Sequence, residues 1–109
     1  MLSGIDIDRS TAARAFGAGY FNLLRRGADG SLSLSMDKWR LAEVTTDAFR
    51  FTARADDVAP LEVDLGNVER LVWDQLPKQH TRSQIRFYLA NGDLWTFSGS
   101  VDESALPER

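Results

Sequence analysis

The stretch that most narrows the fold is a hairpin written out near the end of the sequence. Gln84-Ile85-Arg86-Phe87-Tyr88-Leu89-Ala90 runs into Asn91-Gly92, then Asp93-Leu94-Trp95-Thr96-Phe97-Ser98-Gly99. Two runs rich in aromatic and β-branched residues flank a dipeptide that readily adopts positive φ, a strong signal for two antiparallel strands. Strand side chains point alternately to two faces. Ile85, Phe87 and Leu89 therefore share one face of the first arm, and Trp95, Phe97 and Gly99 share one face of the second. A strict two-residue loop at Asn91-Gly92 sets Phe87 against Thr96 and Ile85 against Ser98, which mixes apolar and polar residues on both faces. A three-residue loop, Ala90-Asn91-Gly92 with Gly92 left-handed, sets Phe87 against Trp95 and Ile85 against Phe97. That register gives one buried aromatic face, and the buried face specifies register. Arg86, Tyr88, Thr96 and Ser98 then face outward or towards a covering element.

The same alternating texture reaches back to about Tyr20. Residues 1–8 read as loose chain or an edge strand. Asp8 and Ser10 are candidate caps for a short helix over residues 11–16, where alanine favours helix, and Gly17-Ala18-Gly19 ends it. Tyr20 to Arg25 reads as a strand and Arg26-Gly27-Ala28-Asp29-Gly30 as a turn. Ser31-Leu32-Ser33-Leu34-Ser35 alternates cleanly, with both leucines expected inward; Met36-Asp37-Lys38 reads as a turn, and Trp39 to Val44 as a further strand. After the turn Thr45-Thr46-Asp47, the segment Ala48–Arg54 puts Phe49 and Phe51 on one face. Pro60 closes a loop, Leu61–Leu65 alternates again, Gly66-Asn67 breaks it, and Val68 to Leu76 reads as a strand or a helical turn leading into one. Seven or eight short strands without a long helix favour an antiparallel barrel or sandwich.

At 109 residues the chain suits a single domain, spanning 1–109, with 1–17 an N-terminal extension carrying the short helix and 102–109 a tail. Thirteen basic against sixteen acidic residues give a net charge of −3, which argues against general nucleic-acid binding. Cysteine is absent, so no disulfide framework or thiolate metal site is possible. The first residues lack a basic leader followed by an apolar run, and no stretch approaches a membrane span. A cytoplasmic setting is expected.

The order Ser31-Leu-Ser-Leu-Ser, Thr46-Asp47-Ala48-Phe49-Arg50-Phe51, Pro60-Leu61-Glu62-Val63-Asp64-Leu65-Gly66-Asn67-Val68 and the closing Asn91-Gly92 hairpin with Phe97 resembles a pleckstrin-homology-like (PH-like) barrel. It is similar to the GRAM-type and bacterial PH-like versions over roughly residues 20–101. A narrower similarity is to the N-terminal PH-like domain of the small subunit of the FACT histone chaperone. It rests on Gly30–Ser35, Val68–Trp73 and Asn91-Gly92 through Gly99. The resemblance implies an antiparallel barrel closed by a helix after the last strand. Here only Val101-Asp102-Glu103-Ser104-Ala105-Leu106-Pro107 stands in that place, with space for little more than one turn. Either the helix at 11–16 covers the opening, or another subunit does, or the assignment fails.

Candidate chemistry is sparse. His80, the one histidine, sits in a polar loop beside Lys78 and Arg82 without a visible partner for acid–base work, and reads as a solvated residue. Asp56-Asp57 and Asp6-Ile7-Asp8 lack the spacing and central glycine of a calcium loop. No P-loop or dinucleotide fingerprint occurs, and the serines of residues 31–35 have no adjacent base. No catalytic, cofactor-binding or metal-binding residue is therefore assigned, and no enzyme activity is expected. Arg25 and Arg26 at a hairpin tip loosely resemble the phosphate-gripping cations of lipid-binding PH domains. Lys38-Trp39-Arg40, the other half of that pattern, is expected at the opposite end of the barrel, splitting the patch. Among the tryptophans, Trp95 is expected buried, and Trp39 and Trp73 partly exposed at an interface. The candidate partner-binding set is Arg25, Arg26, Trp39, Trp73, Lys78, His80 and Arg82. The reading is a non-catalytic module that recognises a protein partner or its own copy, a homodimer included; the alternative is an anionic membrane surface or phosphorylated headgroup met through Arg25, Arg26, Lys78 and Arg82.

Overall fold

The computed structural model describes residues 4–75, 83–101 and Ser104. The chain runs β1 (Ile5–Asp6), α1 (Arg9–Phe16), β2 (Phe21–Arg26), β3 (Leu32–Val44), β4 (Ala48–Ala53), β5 (Leu61–Asp64), a 3₁₀ turn (Leu65–Asn67), β6 (Val68–Gln75), β7 (Ser83–Leu89) and β8 (Leu94–Gly99). All eight strands are antiparallel and lie in one sheet, ordered β1-β6-β7-β8-β2-β3-β4-β5. Consecutive strands pair within β2–β5 and within β6–β8; β1 joins the outer side of β6, and β8 returns to β2, setting Leu23 opposite Phe97. Among the described residues the protein is mostly β with one short α-helix, as its alternating texture implies.

The closing hairpin adopts the bulged register. Phe87 pairs with Trp95 and Ile85 with Phe97. Gly92 has φ 93°, a left-handed value that costs a side-chain-bearing residue strain but not glycine. The Leu89 N–H donates to the Asp93 carbonyl at 2.9 Å and the Gly92 N–H to the Leu89 carbonyl at 3.0 Å, closing the turn.

The helix forms where the cap predicts. Asp8 is extended, and its carboxylate accepts from the Thr11 backbone N–H at 2.7 Å, satisfying one of the donors a helix start leaves unpaired. That hydrogen bond holds the Asp8 carboxyl below its ordinary value. Ala12, Ala15 and Phe16 are buried, three and four residues apart, the spacing of a single helix face.

That face plugs the core. All six phenylalanines of the sequence are fully buried: Phe16, Phe21, Phe49, Phe51, Phe87 and Phe97. The Phe16 ring meets Phe21 at 5.0 Å, Phe51 at 5.3 Å and Phe97 at 5.4 Å between centroids, each edge to face. Phe51 and Phe97 stack at 4.5 Å. Such ring pairs add about 1 kcal/mol each beyond the area they bury. Gly99 makes room for this cluster: a Cβ there would lie 2.7 Å from Phe21 Cδ2.

Two expectations are corrected. The serine–leucine segment and the Trp39 segment are not separated by a turn at Met36-Asp37-Lys38; they form one strand of thirteen residues, Leu32–Val44. Leu32 and Leu34 consequently do not point inward. They are 67% and 66% exposed. The unbroken strand carries its alternation through Met36, Lys38 and Arg40, and because Trp39 faces the core opposite Phe21, every even-numbered residue from 32 to 40 faces away from it. The tryptophans are the second correction. Trp39 and Trp73 are buried at 6% exposure each, whereas Trp95 is only partly buried. Trp39 is tied down by its own strand, its indole N–H donating to Ser35 Oγ at 2.9 Å.

Candidate functional site

The strand that carries Trp39 inward carries a row of apolar residues outward. Leu32, Leu34 and Met36 project from β3, and Leu24 projects beside them from β2, directly opposite Leu34 in the ladder. Met36 is 96% exposed and Leu24 38%. Single exposed apolar residues are common on any protein; here four stand together on two paired strands. Local geometry sharpens the display. Between Asn22–Lys38 and Leu24–Leu34 the β2–β3 register shifts, because β3 holds extra residues there. Ser35 Oγ accepts from the Asp37 N–H at 3.2 Å as well as from Trp39, local bonds within this irregular stretch of the ladder.

Cations border the apolar row. Arg26 stands opposite Leu32, and Lys38 follows Met36 on the same face; both are exposed, as is Arg40 beyond them. β4 pairs with β3 only from Trp39 to Val44, so among the described residues Leu32–Asp37 has a partner strand on the β2 side alone. The ribbon thus offers an apolar face with a basic border and, for half its length, an unoccupied strand edge.

Of the expected site residues, Arg25, Arg26, Trp39 and Trp73 lie among the described residues, and these four do not come together. Arg25 is partly buried, with its guanidinium 5.4 Å from the Trp95 ring centroid, an arrangement in which the cation sits against the π face. Arg26 is exposed at the same hairpin end but points to the other face. Trp39 and Trp73 belong to the core. Lys78, His80 and Arg82 lie outside the described residues. Lys38 and Arg40, weighed in the sequence as half of a split phosphate grip, share a strand face with Arg26 but stand at the other end of the β2–β3 ladder. The apolar row was missed because its leucines looked like core; the signal that finds it is strand parity relative to Trp39.

The remaining hollows are shallow. One of about 680 Å³ lies between α1 and the β3–β4 turn, where the Arg9 guanidinium donates to the Thr46 carbonyl at 2.8 Å. Another of about 420 Å³ lies along β1 and β6, rimmed by Asp6 and Arg70. These two are ion-paired at 2.6 Å, and the hydrogen bond that Arg70 Nε donates to the Asp6 carboxylate raises the Arg70 pKa. Among the described residues no group of three or more histidines and carboxylates is placed to hold a metal ion, and no helix is long and apolar enough to cross a membrane. No protein-family model, curated protein or solved structure matches the chain.

Proposed function

We propose that this protein is a non-catalytic, PH-like recognition module whose docking surface is the outer β2–β3 face. The single observation that carries the reading is the exposure of Leu24, Leu32, Leu34 and Met36 side by side on paired strands. Leaving such a row in water has a cost: burying one side chain of this size against a partner returns about 2 kcal/mol. The PH-like reading is supported by the antiparallel strand order and by a helix, α1, packed into the core ahead of β2. In this reading the sheet wraps into a barrel around the phenylalanine cluster, and α1 covers its opening. The proposed setting is the cytoplasm, with which the absence of cysteine agrees.

The test is co-purification by tagged wild type and by a Leu34→Ser, Met36→Ser variant. Both residues are exposed, so the variant should melt within about 0.5 kcal/mol of wild type. Wild type is expected to retain a protein partner, or a second copy by light scattering, that the variant loses. A monodisperse monomer that retains no protein overturns the reading.

A further inference from the structure

The docking face is chemically lopsided. Arg26, Lys38 and Arg40 share it with the apolar row, one cation flanking Leu32 and two extending beyond Met36. On β3 up to Arg40 the one carboxylate is Asp37, which has the opposite parity and is partly buried on the side of Trp39. The next carboxylate along the strand, Glu43, stands opposite Arg50 in the ladder with β4. The whole chain carries a charge of −3, so this local positive border runs against the overall balance.

Resting on the recognition reading above, we propose that the β2–β3 face binds an acidic amphipathic segment of a partner protein. Apolar side chains of that segment cover Leu24, Leu32, Leu34 and Met36, and its carboxylates meet Arg26, Lys38 and Arg40. Arginine suits this task because its planar fork takes a carboxylate through two parallel hydrogen bonds. Border charges of this kind steer approach and reject wrong partners. A second copy of the same chain is the poorer occupant. An isologous two-fold dimer on this row sets the three cations of one copy against those of the other, and juxtaposed like charges disfavour the complex.

The experiment titrates the intact protein into a fluorescein-labelled peptide of alternating leucine and glutamate, with a leucine–lysine peptide as its counterpart, and reads anisotropy. Binding of the acidic peptide is expected, weakening as salt rises because the exposed charges are screened. Replacing Lys38→Glu together with Arg40→Glu is expected to weaken it about tenfold or more, as is Met36→Ser, with unchanged melting temperatures. The lysine peptide should not bind. Failure of the acidic peptide, equal binding of both peptides, or indifference to the charge reversal overturns the proposal. Phosphatidylserine vesicles that bind where the peptide does not assign the face to a membrane instead, and a dimer dissolved by Met36→Ser assigns it to a second copy. If the peptide fails while a co-purified partner still depends on Leu34 and Met36, the acidic chemistry falls and the recognition reading stands.

Discussion

Short polar side chains in this protein are placed where the backbone would otherwise lack partners. Asp8 serves the start of α1, Asp29 accepts from both the N–H and the hydroxyl of Ser31, and Asp64 accepts from the Gly66 N–H at 2.9 Å. These are the local bonds that make aspartate a turn and cap residue. The hydrogen bond from Thr11 depresses the Asp8 pKa below its ordinary value of 3.8. A carboxyl whose folded pKa is depressed contributes stability that is fully present above the ordinary value and is lost as pH falls through the depressed one. Asp8→Asn keeps an acceptor at the cap but does not titrate. Its melting temperature should therefore fall less steeply than that of wild type as the solution is taken from neutral pH into acid. Asp8→Ala, which lacks the acceptor, should melt lower than both at neutral pH. Parallel acid profiles for wild type and Asp8→Asn exclude this role.

Among the elements, α1 and β3 divide the labour. α1 is too short to be stable alone, so its existence depends on docking Ala12, Ala15 and Phe16 into the sheet. Phe16→Ala removes the ring that touches four other phenylalanines and should cost about 4 kcal/mol in denaturant unfolding. A loss under about 1 kcal/mol would show that the helix merely rests on the sheet. β3 explains where the sequence could be read and where it misled. Alternation tells which residues share a face but not which face is wet. A turn assumed at Met36-Asp37-Lys38 reset the count, and the leucines went inward by default. Read as one strand with Trp39 as the anchor, the same letters put Leu32 and Leu34 outside.

Taken whole, the molecule was legible in its strands, its helix cap and the aromatic register of the last hairpin, because each rests on local chemistry. Phe87 opposite Trp95 follows from the two arms and their loop alone. The candidate site was not legible without two facts that alternation does not supply: that residues 32–44 form one strand, and that Trp39 faces inward. The burial of Trp39 and Trp73 depends likewise on what lies opposite them. The β2–β8 ladder has its own effect on how quickly the molecule assembles. It joins strands from nearly opposite ends of the described chain. The large entropy lost in bringing distant segments together is repaid only late on the pathway, so refolding after rapid dilution from denaturant should take milliseconds to seconds rather than microseconds.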